Sequence, residues 1–210
     1  MTDKNDKETS TEEKIFEAAR DVFHQKGFDG ARMQEIADKA KINKSMLHYY
    51  YRSKDKLFEK VYQLSLMKAI PQIVSLLNKD LPVEEKLREF VREYLTVIKQ
   101  NPDIPSFIIH ELNTNPSRIQ KFFLNQVGKR VQPFISQLQE AKEQGKLAGN
   151  LTPEQVVINT MSLVIFPFIG KPILQIIFEM DEKGFDRLID ERLEYLPDFV
   201  VTTMLESSDS

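Results

Sequence analysis

Apolar residues recur along this chain at helical spacing, and the first stripe is Ile15, Ala18, Ala19, Val22 and Phe23. Ser10 with Glu13 three residues later reads as a capping box that opens this helix, and Gly27 supplies a left-handed stop. Residues 1–9, polar and charged, read as a disordered arm. Met33, Ile36, Ala37 and Ala40 form a second, shorter stripe, and Asn43 is placed to cap a third helix with Leu47 and Tyr50 or Tyr51 inward. Only Lys41, Ile42 and Asn43 separate these two. Helices joined by so short a turn cannot lie antiparallel and must cross steeply, so a helix-turn-helix is predicted, with the small side chain of Ala37 at the crossing.

Ser53, with Asp55 in the following turn, starts a long helix through Leu57, Val61 and Leu64, with a kink expected at Pro71 and a break from Asn78 to Pro82. Leu87, Phe90, Val91, Tyr94, Leu95 and Ile98 mark the next helix, ended by the turn from Asn101 to Pro105. Further helical patterns cover roughly 105–113, 116–144, 152–179 (interrupted by Pro167, Gly170 and Pro172) and 185–205. Thr152, Pro153 and Gln155 together sign the start at 152. No strand alternation or internal repeat appears. The predicted class is all-α, divided into an arm (1–9), a helix-turn-helix unit (10–56) and a larger helical body (57–210).

Leu163 to Phe178 is the most apolar stretch, but Lys171, Gln175, two prolines and a glycine interrupt it, short of the ~18 apolar residues a membrane span needs. A core helix continuing into a subunit interface is expected there instead, and no membrane partner. Seven glycines in 210 residues is under half the usual ~7%, against collagen-like and turn-dense β chains. The absence of cysteine excludes disulfides, thiolate catalysis and cysteine metal sites. With no secretory signal after the charged start, a cytoplasmic location is expected.

The net charge of −3 conceals a division within the chain. Between Arg32 and Lys56 seven bases (Arg32, Lys39, Lys41, Lys44, Arg52, Lys54, Lys56) face three acids (Glu35, Asp38, Asp55), a local +4 that leaves −7 for the rest. A basic module of this kind meets an anion, whereas a merely solvated face would be more evenly mixed. In a helix-turn-helix the second helix enters the major groove with its N-terminal residues on base edges, which here are Lys44, Ser45, Met46, His48 and Tyr49. Lysine donates to guanine, methionine touches a thymine methyl and a tyrosine hydroxyl reaches a phosphate. Arg32, Gln34, Tyr50 and Lys54 complete the expected DNA-contacting set, Lys54 beside free N–H groups at a helix start.

The segment MQEIADKAKINKSMLHYYYRSKDKLF, residues 33–58, resembles the DNA-binding motif of the tetracycline-repressor (TetR/AcrR) family of transcriptional regulators. That motif has Ile-Ala in its first helix, a short turn, a Leu-Tyr-x-x-Phe recognition helix and a Ser-Lys-x-x-Leu start to the next. Ile36, Ala37, Leu47, Tyr51, Ser53, Lys54 and Leu57 match or nearly match, and Gly27-Phe28 matches the aromatic-bearing turn before it. Three positions depart. Arg32 stands where a capping threonine is usual. Lys41 replaces a glycine, at a cost of about 1 kcal/mol if left-handed. His48 replaces a tyrosine, making a phosphate contact weaker or pH-dependent.

The resemblance implies a homodimer of all-helical subunits with a ligand pocket in each body and the last two long helices paired across a two-fold axis. Val156, Val157, Thr160, Val164 and Phe168 on one helix, with Leu188, Ile189, Leu193, Leu196 and Val200 on another, offer apolar faces for that interface. Phe90, Tyr94, Phe107, His110, Glu111, Phe122, Phe123, Met161 and Phe166 are candidate pocket residues, each also compatible with plain core. The implied partners are palindromic double-stranded DNA, a second copy of the chain and a small apolar or amphipathic effector that releases a repressor. The alternative is a helical interaction scaffold that has lost DNA recognition. An enzyme is not expected. The three histidines are scattered, adjacent His110 and Glu111 point about 100° apart on a helix, and no nucleophile elbow or phosphate loop occurs. No catalytic residue, metal site or cofactor is therefore predicted.

Overall fold

The predicted stripes fold as α1 (Thr2–Gly30), α2 (Met33–Lys39), α3 (Lys44–Tyr50), α4 (Lys54–Leu77), α5 (Val83–Gln100), α6 (Ile104–Thr114), α7 (Pro116–Gln126), α8 (Gln132–Glu143), α9 (Pro153–Ile169), α10 (Lys171–Ile177) and α11 (Glu182–Met204). This computed structural model describes residues 2–114 and 116–206, without the side chains at 2–10, 24, 68 and 118. The Ser10 cap lies outside the described side chains, and where a disordered arm was expected over residues 1–9 the helix α1 already runs from Thr2. Among the described residues the chain is all-α, and its one β-type contact is an isolated bridge between Leu147 and Leu205.

Two elements differ from the sequence reading, and a third, the interruption expected within 152–179, is met at Gly170 and Pro172 but not at Pro167. Gly27 has φ 65° and ψ −178°, a conformation suited to glycine, yet a further helical turn follows it before α1 ends at Gly30. The pattern over 116–144 divides into two helices around a 3-10 turn, Gly128–Arg130, with Pro133 in the first turn of α8. The pattern over 152–179 bends by 72° between α9 and α10. The bend falls at Gly170, followed by Pro172 in the first turn of α10, whereas α9 continues through Pro167. The start of α11 at Glu182 uses Asp181, whose carboxylate accepts from the Gly184 N–H at 2.8 Å. No single helix among the described residues is long and apolar enough to cross a membrane.

The chain forms two compact units, residues 1–67 and 68–210, with the division inside α4. In the first, Ile15, Val22, Ile36, Ala37, Leu47, Leu57 and Val61 are buried. Phe58 is the centre of an aromatic cluster, 4.8 Å from the rings of both Phe23 and Phe28 and 4.6 Å from Tyr62. This cluster ties both ends of the Gly27 break to the start of α4. In the second unit α11 lies along α5. Leu87, Val91, Leu95 and Ile98 of α5 are buried, as are Phe185, Ile189, Leu196 and Val200 of α11. Arg88–Asp198, at 2.6 Å, and Lys99–Asp190 edge the seam, partly exposed ion pairs that fix register more than they stabilise.

Candidate functional site

The turn between α2 and α3 is built from the residues that predicted it. Lys41 has φ 57°, and the N–H groups of Lys41 and Ile42 donate back to the carbonyls of Asp38 (3.1 Å) and Ala37 (3.0 Å), closing α2. The lysine thus carries the left-handed strain expected of it. The Asn43 side chain accepts from the Met46 N–H at 2.7 Å and opens α3, while Arg32 gives α2 no side-chain cap. Leu47 faces inward and Lys44, Ser45, Met46, His48 and Tyr49 face solvent. Tyr49 is 79% exposed, with Tyr50 edge-on to it at 5.6 Å. Tyr51 is half-buried, and that burial, then the Glu12 carboxylate, then Tyr50, push its phenol above the usual range. It packs as a neutral aromatic.

The bases of this module are divided between internal partners and solvent. Lys39 pairs with Asp21 at 3.0 Å and Lys56 with Glu59 at 3.4 Å. Gln34 donates to Asp38 at 2.7 Å. The Lys54 ammonium donates to the carbonyls of Phe28 (2.7 Å), Ala31 (3.2 Å) and Asp29 (3.4 Å) and sits 4.4 Å from the centre of the Phe28 ring. All three of its donors serve the end of α1, an occupation different from the phosphate contact expected of it. Among the described residues, Arg32, Lys41, Lys44 and Arg52 are exposed cations without an ion-pair partner. Arg52, just beyond α3, was absent from the expected DNA-contacting set; its signal was a basic residue two positions past the recognition helix. Replacing Lys54 with methionine is expected to lower the stability of the first unit by about 1–2 kcal/mol, because partly buried carbonyls lose a charged donor. At a temperature where both proteins are folded, the salt dependence of DNA binding should be unchanged. Melting curves and salt titrations check this, and unchanged stability with a flattened slope would return Lys54 to the phosphate set.

The second unit holds an apolar cavity of about 180 Å³. Ile70, Ile73, Val74 and Leu77 of α4 and Leu87, Phe90 and Tyr94 of α5 form part of its wall. Phe123, Val127, Val131, Phe134 and Ile135 from the α7–α8 region, with Val156, Val157, Thr160 and Met161 of α9, complete it. The Thr160 hydroxyl donates to the Val156 carbonyl at 2.7 Å, so its proton is spent. Burial pushes the Tyr94 phenol far above its ordinary range, so that group stays neutral. Of the expected pocket residues, Phe90, Tyr94, Phe123 and Met161 line this cavity and the others do not. Phe107 and Glu111 are buried elsewhere, His110 and Phe122 are half-buried, and Phe166 is 58% exposed. The polar end expected at His110 and Glu111 is therefore absent from the cavity wall, because both stand on α6, which contributes nothing to it.

The family description "Bacterial regulatory proteins, tetR family" matches residues 15–61, the stretch holding the helix-turn-helix and its buried supports. Residues 15–61 form a tetR-family DNA-binding domain. It is 24% identical over 163 residues to the probable HTH-type transcriptional regulator YttP of Bacillus subtilis, covering 76% of this chain and 78% of that protein. Against the HTH-type transcriptional repressor NicS of Pseudomonas putida it is 33% identical over 102 residues, about half (48%) of each chain. The solved structure of HlyIIR, a hemolysin II transcriptional regulator, superposes with a TM-score of 0.62 at 25% identity, over 95% of this chain and 99% of that one. The protein is a DNA-binding transcriptional regulator.

The residues expected at the regulator's dimer interface face mostly into its own core. Val164 is 0% exposed, and Val156, Thr160, Phe168, Ile189, Leu196 and Val200 are likewise buried, while Val157, Leu188 and Leu193 are half-buried. The reason is helical phase. The broadest aliphatic rows of α9 and α11 close the subunit core, and a second row on α9, Ile158, Phe166 and Ile169, is left outside with Tyr195 on α11. On α10, Ile173, Ile176 and Ile177 and the following Phe178 are also exposed, Ile176 by 78%. Large apolar side chains so concentrated outside a fold mark an interaction surface.

Proposed function

We propose that this regulator is a cytoplasmic, non-enzymatic homodimer that represses transcription at a palindromic operator and is released by a small effector held in the second unit. The observation that carries the reading is the exposed face of α3, where Lys44, Ser45, Met46, His48 and Tyr49 stand among four cations without ion-pair partners. Lys44, Ser45 and Met46 would meet base edges, and Arg32, Lys41 and Arg52 the phosphates on either side. Two such helices, one per subunit, would fall on successive major-groove faces of one duplex. The exposed rows of α9, α10 and Tyr195 supply the apolar area for a two-fold contact. Domain roles follow the same lines, with DNA recognition in residues 10–56 and dimerisation and effector binding in 57–210.

Release is argued from α4. This one helix starts at Lys54, beside the reading module, and puts Ile70, Ile73, Val74 and Leu77 into the cavity wall. An effector that binds the DNA-incompetent arrangement more tightly lowers operator affinity by its differential binding, typically ~5- to 150-fold. Gel retardation of a duplex carrying the chain's own upstream region tests the reading. A complex with two chains per duplex, weakened by effector, supports it; no retardation at any salt concentration leaves the scaffold alternative.

A further inference from the structure

We propose that the cavity of the second unit selects uncharged, hydrocarbon-like ligands of about monocyclic aromatic size and rejects their anionic counterparts; this rests on the effector reading above and names the ligand class. Size is the first argument. Dedicated sites for drug-sized molecules enclose roughly 300–1,000 Å³, and an apolar cavity of roughly 150 Å³ lined by Leu, Ile and Phe stays dry and takes benzene. At about 180 Å³ this chamber belongs with the second kind, with room for a ring and a short alkyl substituent.

Charge is the second argument. No Lys, Arg, His, Asp or Glu stands among the lining residues. The only hydroxyls on the wall belong to Tyr94 and Thr160, and Thr160 already donates its proton to Val156. A carboxylate taken inside would lose its water and gain no cation, so it must stay out or bind protonated. The chamber's mouth follows from its neighbour. Phe123, Val127 and Val131 also line an open groove bounded by Gln120, Leu124 and Gln132, which places the entrance between α7 and α8. The lining of that groove itself carries two neutral amides, Gln120 and Gln132, and no charged side chain.

The test uses the full-length protein with toluene and benzoate, which share a ring and differ in charge, in calorimetry and thermal melts at neutral pH. Toluene is expected to bind and raise the melting temperature, and benzoate to bind at least a hundredfold more weakly. Val157→Phe, which pushes a ring into the chamber from α9, should abolish toluene binding. Should that variant not fold, Thr160→Val, which keeps shape and removes the hydroxyl, should leave toluene affinity unchanged. Equal or tighter binding of benzoate, or no binding of toluene, overturns the assignment. The effector reading fails separately: toluene that binds without weakening operator affinity removes induction by this chamber but not its selectivity. Operator release by a charged compound whose effect survives Val157→Phe keeps induction and places its effector site outside the chamber.

Discussion

Phe166→Glu is expected to convert the dimer into folded monomers and to cost two to four orders of magnitude in operator affinity. Phe166 is 58% exposed on the outer row of α9 and takes no part in the subunit core, so a charge there leaves the fold intact. Against a partner subunit the same charge would be buried among Ile158, Ile169 and Tyr195 without a counter-ion, a penalty of several kcal/mol. Once the dimer separates, each half-site must be bound alone, and the gain from linked binding, on the order of 10²- to 10⁴-fold, is lost. Val164→Glu should behave differently. Its side chain is fully buried within the subunit, so the charge unfolds the second unit instead of parting two folded ones. Sedimentation with circular dichroism separates the outcomes, and an intact Phe166→Glu dimer would move the interface off this face.

The second large effect concerns salt. With Arg32, Lys41 and Arg52 on phosphates in both subunits, about six counterions are released, and log K should fall against log salt with a slope of about −5.4. Between 50 and 200 mM salt that is a loss of roughly 10³ in affinity. Replacing Lys41 and Arg52 together with alanine removes four contacts from a dimer and should flatten the slope by about 3.6, weakening all sequences alike. Lys44, at the first position of α3, should behave otherwise, because loss of a base contact relaxes specificity at one operator position by about 1–3 kcal/mol. An unchanged slope in the double variant would place the phosphates on other residues.

The helix-turn-helix was legible almost residue by residue because its signals are local. The Asn43 cap and the inward Leu47 depend on neighbours within four positions, while the left-handed Lys41 and the missing cap at Arg32 were expected from departures from the family motif. The breaks at Gly128 and Gly170 were less legible, since glycine permits a helix to stop without requiring it. Two features could not be read from the sequence because they depend on what packs where. Lys54 looks like a surface cation until the chain brings the carbonyls of Phe28 and Ala31, more than twenty residues earlier, against it. Likewise α9 and α11 are apolar on more than one face, and periodicity alone does not say which row the subunit keeps for its own core. Sequence therefore assigned Val164 and Leu196 to the interface, where packing assigns them to the core and leaves Ile158 and Tyr195 outside.

The central claim, a dimer that reads DNA sequence through α3, is tested most directly by selecting bound duplexes from a pool of random sequence with the purified protein at about 150 mM salt. The account predicts enrichment of an inverted repeat whose half-site centres lie about one helical turn, or a multiple of it, apart. It further predicts that Met46→Ala changes the enriched bases symmetrically in both halves. Enrichment of no sequence, or of a single asymmetric site indifferent to Met46, would contradict it.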